Sequence, residues 1–256
     1  ERFSYMFGKN NYEILDTPIV DDPSLLSWED ASGKYRDKLA KTKKKTGLNS
    51  AISVAYGKLT ENLNAVICCS DFSFFGSSIS QDEGEAILCA CEKSLITGSP
   101  LIVFAMGGGM RMQIPSAVSL MQMPRTIMGL SEVKKKGIPV IVVADSVVAG
   151  GISASYATTG DFLFFEGKKT KFMFAGPRVA ANASNTEPPE DFLEGGWAMS
   201  HGHGDHMIEK REDTKDFLIK FLNIILKKDQ SSIIGEENID NINETTKLNK
   251  ETREAS

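Results

Sequence analysis

Two stretches decide the fold: residues 100–112, PLIVFAMGGGMRM, and residues 138–155, IPVIVVADSVVAGGISAS. Each begins as an apolar, β-branched run that reads as a buried strand. Each then meets glycines, Gly108-Gly109 in the first and Gly150-Gly151 in the second, before a helix-like stretch. Glycine admits positive φ at a strand-to-helix turn and lets a ligand approach the backbone, so the unpaired N–H groups of a new helix can face an open site. Such donors suit an oxyanion. A single glycine pair reads first as a tight turn or close packing; the repetition of strand, glycine pair and helix points to one shared site.

Outward from these runs the pattern keeps alternating. Residues 51–56 and 64–75 read as strands, and 81–97 as a helix with an acidic start that stops before Gly98-Ser99-Pro100. Strand 100–106, helix 115–136, strand 138–144, helix 151–159 and strands 161–166 and 171–175 follow. Within 115–136, Pro124 removes an N–H and clashes with the Leu120 carbonyl, so a kink is expected there. Alternation of this kind implies parallel pairing with right-handed crossovers. Periodicity leaves open a Rossmann-like sheet or a spiral of repeated β-β-α units, but no glycine-rich nucleotide fingerprint is present.

The 256 residues suffice for one large domain, read as 34–228, with an irregular arm carrying short helices over 1–33 before it and a polar tail over 229–256 after it. A helix is expected over 34–45, where the run Lys41–Lys45 (KTKKK) reads as a solvated face that could alternatively meet phosphates. Another over 212–228 carries Phe217, Leu218, Phe221, Leu222 and Ile225 at helical spacing. The net charge of −5 argues against general nucleic-acid binding. No apolar run approaches the roughly 18–20 residues of a membrane span, and no export signal is evident, so the chain reads as soluble and intracellular. Cys68, Cys69, Cys89 and Cys91 form no Cys-x-x-Cys pair and read as reduced thiols.

All three histidines lie in His201-Gly-His203-Gly-Asp205-His206. This spacing matches the His-x-His-x-Asp-His signature of metallo-β-lactamase-like hydrolases, which hold zinc and activate water. Those enzymes recruit further histidines from later in the chain, and here there are none. A polar loop at a helix junction is the expectation, with no metal. Ser153 and Ser155 lack a Gly-x-Ser-x-Gly context and read as packing residues at a helix start.

Several segments in one order carry a resemblance to a family: Tyr35-Arg-Asp-Lys-Leu, Lys45-Thr-Gly-Leu, Asp71-Phe-Ser-Phe-Phe-Gly, Gly108-Gly-Met-Arg-Met-Gln, Ser119-Leu-Met-Gln-Met, Gly150-Gly-Ile-Ser-Ala-Ser and Phe174-Ala-Gly-Pro-Arg-Val. Over residues 20–228 the chain resembles the carboxyltransferase beta subunit of bacterial and plastid acetyl-CoA carboxylase. The resemblance implies a crotonase-like α/β spiral of β-β-α units with mixed sheets and flanking helices. It also implies transfer of a carboxyl group from carboxybiotin to acetyl-CoA, forming malonyl-CoA. By the same resemblance, the backbone at Gly150 and Gly151 would hold the thioester oxyanion and Gly108 and Gly109 would line the acyl-CoA site. Arg111 would brace that site or meet an anionic group.

The implied partners are a carboxyltransferase alpha subunit, which would supply the biotin-side half of the site, and a biotin carboxyl carrier protein. Together they would form a hetero-oligomer of the bacterial cytoplasm or plastid stroma. This sequence contains no Met-Lys-Met biotinylation signal and no four-cysteine zinc ribbon of the kind often found in the family. It departs from the family pattern at Ile114-Pro115, where a glutamate is usual, at Ser146-Val-Val-Ala, which is longer, and at Gly76-Ser-Ser-Ile-Ser, which is poorer in glycine. The alternatives are a related acyl-CoA carboxyltransferase or biotin-dependent decarboxylase subunit, a non-catalytic assembly subunit, and a metallohydrolase.

Overall fold

The apolar runs pair into one seven-stranded sheet in a computed structural model that describes residues 1–19, 26–176, 182–183 and 191–226. A short helix, α1 (Arg2–Phe7), precedes strand β1 (Tyr12–Ile14); the small hairpin β2 (Glu29–Asp30) and β3 (Gly33–Lys34) then leads into helix α2 (Tyr35–Thr46). The arm expected over 1–33 is thus partly regular, and β1 pairs antiparallel with β4 (Ile52–Thr60). Next come β5 (Leu63–Ser70), α3 (Gln81–Thr97), β6 (Leu101–Gly107), α4 (Ser116–Leu120), α5 (Gln122–Lys135) and β7 (Val140–Ala149). The order closes with β8 (Phe162–Met173), α6 (Gly195–Ser200), β9 (His206–Ile208) and α7 (Thr214–Ile225).

The spatial order is β1-β4-β5-β6-β7-β8-β9, antiparallel up to β5 and parallel from β5 onward. Consecutive parallel strands are neighbours throughout, with none of the order reversal that marks a doubly wound sheet. A chain advancing one strand per crossover winds as a spiral. The core lies where Val54, Val66, Val103 and Val142 of the sheet meet Ile87 and Ala90 of α3 and Leu130 and Val133 of α5. Gly129 permits that approach: a Cβ there would sit 2.7 Å from Leu88 Cδ2.

Several elements differ from the sequence expectation for identifiable reasons. The helix expected over 115–136 breaks at Met121, so Pro124 falls in the first turn of α5, where a missing N–H costs nothing. Strand β7 continues five residues past the expected 144, and the two strands expected over 161–166 and 171–175 are one long bent strand, Phe162–Met173, with Gly167 at φ +92°. The helix expected over 151–159 is a run of turns. There the hydroxyl groups take the carbonyls a helix would need: Ser153 Oγ donates to Gly150 O (2.8 Å), Ser155 Oγ to Gly151 O (2.5 Å) and Thr158 Oγ1 to Ser153 O (3.0 Å).

Two compact units divide the chain, 1–213 and 214–256. In the second, α7 stacks Phe217 on Phe221 with centroids 6.0 Å apart, as the helical spacing predicts. The polar tail expected over 229–256 lies outside the described residues.

The segment after β5 makes an unusual turn. Phe75, Gly76 and Ser77 all adopt left-handed backbone, at φ +50°, +62° and +54°. For the two non-glycine residues that conformation costs about 1–2 kcal/mol each. Ser77 is fully buried, and its hydroxyl has no hydrogen-bond partner among the described residues. Ser77→Gly removes both penalties and is expected to raise stability by about 1 kcal/mol, net of glycine's larger unfolded-state entropy. A urea unfolding midpoint unchanged or lowered would show that the turn is not strained.

Candidate active site

The turn at Phe75–Ser77 and the end of β6 hold each other. Gly108 N–H donates to Gly76 O (3.1 Å), Ile79 N–H to Gly109 O (2.9 Å) and Arg111 N–H to Ile79 O (2.7 Å). A Cβ on Gly107 would run into the Ser77 carbonyl oxygen. The close approach that a glycine-rich loop would provide is therefore kept here by left-handed backbone at Phe75 and Ser77.

From the other side β7 delivers the second pair. Gly150, at φ +58°, donates its N–H to Met173 O (3.2 Å) and Phe174 O (3.1 Å) of the β8 end. A Cβ on Gly109 would lie 3.4 Å from Ala149 O, Gly150 Cα and Gly151 N, and one on Gly150 would lie 3.3 Å from Gly108 O and Gly109 Cα. The two pairs abut backbone to backbone, and Gly109 at φ +116° admits no other residue without strain.

A hydrogen-bond account separates the four residues. Gly108 and Gly150 spend their N–H groups on carbonyls. Among the described residues, Gly109 and Gly151 do not. An unbonded N–H at a site so tightly built requires a partner. Neither pair opens a regular helix, so the donors belong to turns rather than to helix N-termini. The side chains that a Cβ on Gly151 would meet are those of Met110 and Met123, which cannot exchange protons.

Arg111 occupies the interior and does not line the site. Its side chain is 1% exposed, and every nitrogen is engaged: Nη2 to Glu83 Oε1 (2.8 Å) and Ser78 O (2.7 Å), Nη1 to Tyr35 Oη (2.9 Å), Nε to Ser78 Oγ (3.2 Å). Its guanidinium carbon also sits 4.8 Å from the Phe75 ring centroid. The anionic group it meets is the chain's own Glu83, so of its two expected roles the bracing one fits its position. Glu83, fully buried, also accepts from Ala51 N (3.0 Å) and Ser80 N (2.8 Å), closing a capping box at the start of α3. The Ser80-x-x-Glu83 spacing carried that signal in the sequence. Nothing in the sequence disclosed the contribution of Tyr35, seventy-six positions from Arg111.

Beside the Gly150 turn lies an open cleft of about 460 Å³ bounded by Phe172, Phe174, Phe192, Trp197, His203 and Ser153. The histidine motif disperses around it. His201 stacks on Trp197 with centroids 3.8 Å apart, His203 lies nearly parallel to the same ring at 6.2 Å, and His206 meets Phe164 edge-on from β9. Asp205 accepts from Leu163 N (2.7 Å). Among the described residues no three His, Cys, Asp or Glu side chains converge as metal ligands. Burial pushes the Cys69 and Cys91 thiols up to about 12, which keeps them protonated and poor nucleophiles.

Comparison with known proteins places this geometry in a family. Residues 19–252 match the carboxyl transferase domain. The chain is 41% identical over 239 residues to acetyl-coenzyme A carboxylase carboxyl transferase subunit beta of Pelagibacter ubique (strain HTCC1062), covering 93% of this chain and 75% of that protein. It is 39% identical over 228 residues to the protein of the same name from Mesorhizobium japonicum, covering 89% and 72%. Among solved structures it superposes on transcarboxylase 12S with a TM-score of 0.69 at 20% identity, over 87% of this chain and 40% of that one. A Pseudomonas malonate decarboxylase MdcD-MdcE hetero-dimer gives 0.62 at 16% identity, over 86% and 83%. These structural likenesses establish the fold, the crotonase-like spiral of the carboxyltransferases.

The Arg111–Glu83 pair yields a stability test. Arg111→Met strands a buried carboxylate and should cost about 3–5 kcal/mol in denaturant unfolding. Arg111→Met/Glu83→Gln, which removes the stranded charge, should recover part of that loss. Equal stability of wild type and the single variant would remove the pair from the frame of the site.

Proposed function

The chain belongs to the family of acetyl-coenzyme A carboxylase carboxyl transferase beta subunits, and on that premise we propose that its apposed glycines stabilise the enolate of acetyl-CoA during carboxyl transfer. The observation that carries the reading is the pair of unbonded N–H groups, Gly109 and Gly151, where two backbone turns meet. Removing a proton from the acetyl methyl group puts negative charge on the thioester oxygen. Donors already aimed at that oxygen lower the barrier without reorganising. The methyl carbon then bonds to the carboxyl carbon of carboxybiotin, the carboxyl–nitrogen bond breaks, and malonyl-CoA forms.

Carboxybiotin, the carboxyl donor, is a second substrate in this reading and arrives on a separate carrier protein. The side-chain atoms nearest a Cβ on Gly151 are those of two thioethers, Met110 and Met123, which take no proton, so this reading assigns the methyl proton to a group of that substrate or of a partner. This supports an alpha subunit completing the site and a hetero-oligomeric enzyme of the cytoplasm, or of the plastid stroma in a plastid. The cleft at Trp197 and Phe174 is open beside the glycines and suits the apolar stretch of an acyl-CoA arm. Among the described residues, no helix is long and apolar enough to cross a membrane.

The departures at Ile114-Pro115, Ser77–Ser80 and Ser146–Ala149 are the ground for the rival reading, a non-catalytic binding or assembly subunit. Against it stands the glycine apposition itself, which those departures leave intact.

Gly151→Val tests the donor directly. A Cβ there would sit 2.7 Å from Met110 Cγ and 3.1 Å from Met123 Sδ, so the flexible side chains can yield while the turn is re-aimed. With the alpha subunit and the biotinylated carrier, turnover should fall about 10²–10³-fold, the typical effect of losing one oxyanion donor. Near-normal turnover in a folded variant would remove Gly151 from the reaction; an inactive wild-type assembly would favour the non-catalytic reading.

A further inference from the structure

A second ionic cluster sits upstream of the Gly150 turn and has no part in the chemistry above. Asp145 on β7 and Glu166 on β8 are direct partners across the parallel pair, both largely buried. Two carboxylates side by side repel. Arg2 bridges them from α1: Nη1 donates to Glu166 Oε1, and Nη2 to both Glu166 Oε2 and Asp145 Oδ2, each at 2.7 Å. The guanidinium carbon lies 4.4 Å from the centroid of the Phe104 ring, and its side chain is only 9% exposed. The more exposed Arg211 adds longer contacts, 3.4 Å to Asp145 Oδ2 and 3.7 Å to Glu166 Oε2.

The bridged pair is also where the register of the two strands changes. Up to Asp145 and Glu166 the strands advance in step; the next partners are Val147 and Lys171, so β7 has passed over one residue and β8 four. Ser146, the residue passed over on β7, is left-handed at φ +57°, with its hydroxyl on Asp145 Oδ1 (2.7 Å). On β8 the excursion turns at Gly167 and closes with Thr170 Oγ1 on Glu166 O (2.7 Å). The new register runs on to Ala149 and Met173, and Met173 O is what receives Gly150 N–H and Ser153 Oγ (2.7 Å).

We propose that Arg2 is a positioning residue for the Gly150-Gly151 turn. By clamping Asp145 to Glu166 it fixes the point at which β8 leaves and rejoins β7, and hence the aim of the Gly151 N–H. The inference about aim rests on the function proposed above; the one about register does not. Its footing is the fork: one planar guanidinium spans two strands, which a lysine ammonium cannot do with the same geometry.

The test uses the full chain assembled with the alpha subunit and biotinylated carrier. Arg2→Lys keeps the compensating charge and should fold. Its kcat is expected to fall about 10–100-fold, as for a misplacement of the order of an ångström, while the KM for acetyl-CoA stays near that of wild type. Amide exchange at Gly150, whose N–H is bonded across the register, should accelerate while the core of β6 stays protected. The variant Arg2→Met/Asp145→Asn/Glu166→Gln, which leaves no stranded charge, should behave likewise. Wild-type kcat with unchanged Gly150 exchange in either folded variant would overturn the proposal. If wild type itself does not turn over, the function fails, and Gly150 exchange alone still decides the positioning role.

Discussion

Burying the Arg111 guanidinium against Glu83 is the constraint on which the first half of the site depends. Desolvating two charges costs several kcal/mol, and the pair offsets it only because hydrogen bonds take up the remaining donors and acceptors. Those bonds run to Tyr35 at the head of α2, to Ser78 after the left-handed turn, to Ala51 before β4 and to Ser80 at the start of α3. Three segments distant in sequence, at Tyr35, at Ala51 and at Ser78–Glu83, thus meet at one ion pair whose cation stands two residues after Gly109. A single apolar contact could not fix that many directions at once. The geometry of Gly109 follows from the one arrangement that satisfies all of these groups.

The second half of the site is set by register rather than by charge burial alone. Parallel strands β7 and β8 change step beyond Asp145 and Glu166, and the shifted ladder ends where the β8 carbonyls take Gly150 N–H. The halves touch through backbone at Gly109 and Gly150, with the thioethers of Met110 and Met123 beside Gly151. Such a site has little to titrate and little to reorganise, which suits stabilising charge on an oxygen better than accepting a proton.

The glycine pairs were legible in the sequence because glycine at the end of a buried strand has few explanations. Their apposition followed from repetition of the motif, and the family resemblance supplied the spiral. Which glycine of each pair keeps a free N–H was not legible, since it depends on carbonyls of Gly76, Met173 and Phe174 that only pairing brings near. The helix expected after Gly151 failed because Ser153, Ser155 and Thr158 bond carbonyls locally, an effect that apolar periodicity does not register. Arg111 read as a residue that either braces the site or binds an anion. The choice between those roles required Tyr35 and Glu83, neither of which announces its partner in sequence. The histidine run was the opposite case: a sharp spacing whose side chains part to stack on Trp197 and meet Phe164.

In the proposed site one oxygen fits between Gly109 N–H and Gly151 N–H. The most direct measurement is a structure of the assembled enzyme with a non-hydrolysable acetyl-CoA analogue whose carbonyl stands for the thioester. This carbonyl oxygen is expected within hydrogen-bond distance, about 2.7–3.2 Å, of both nitrogens. A carbonyl held elsewhere, with both amides still unbonded, would contradict it.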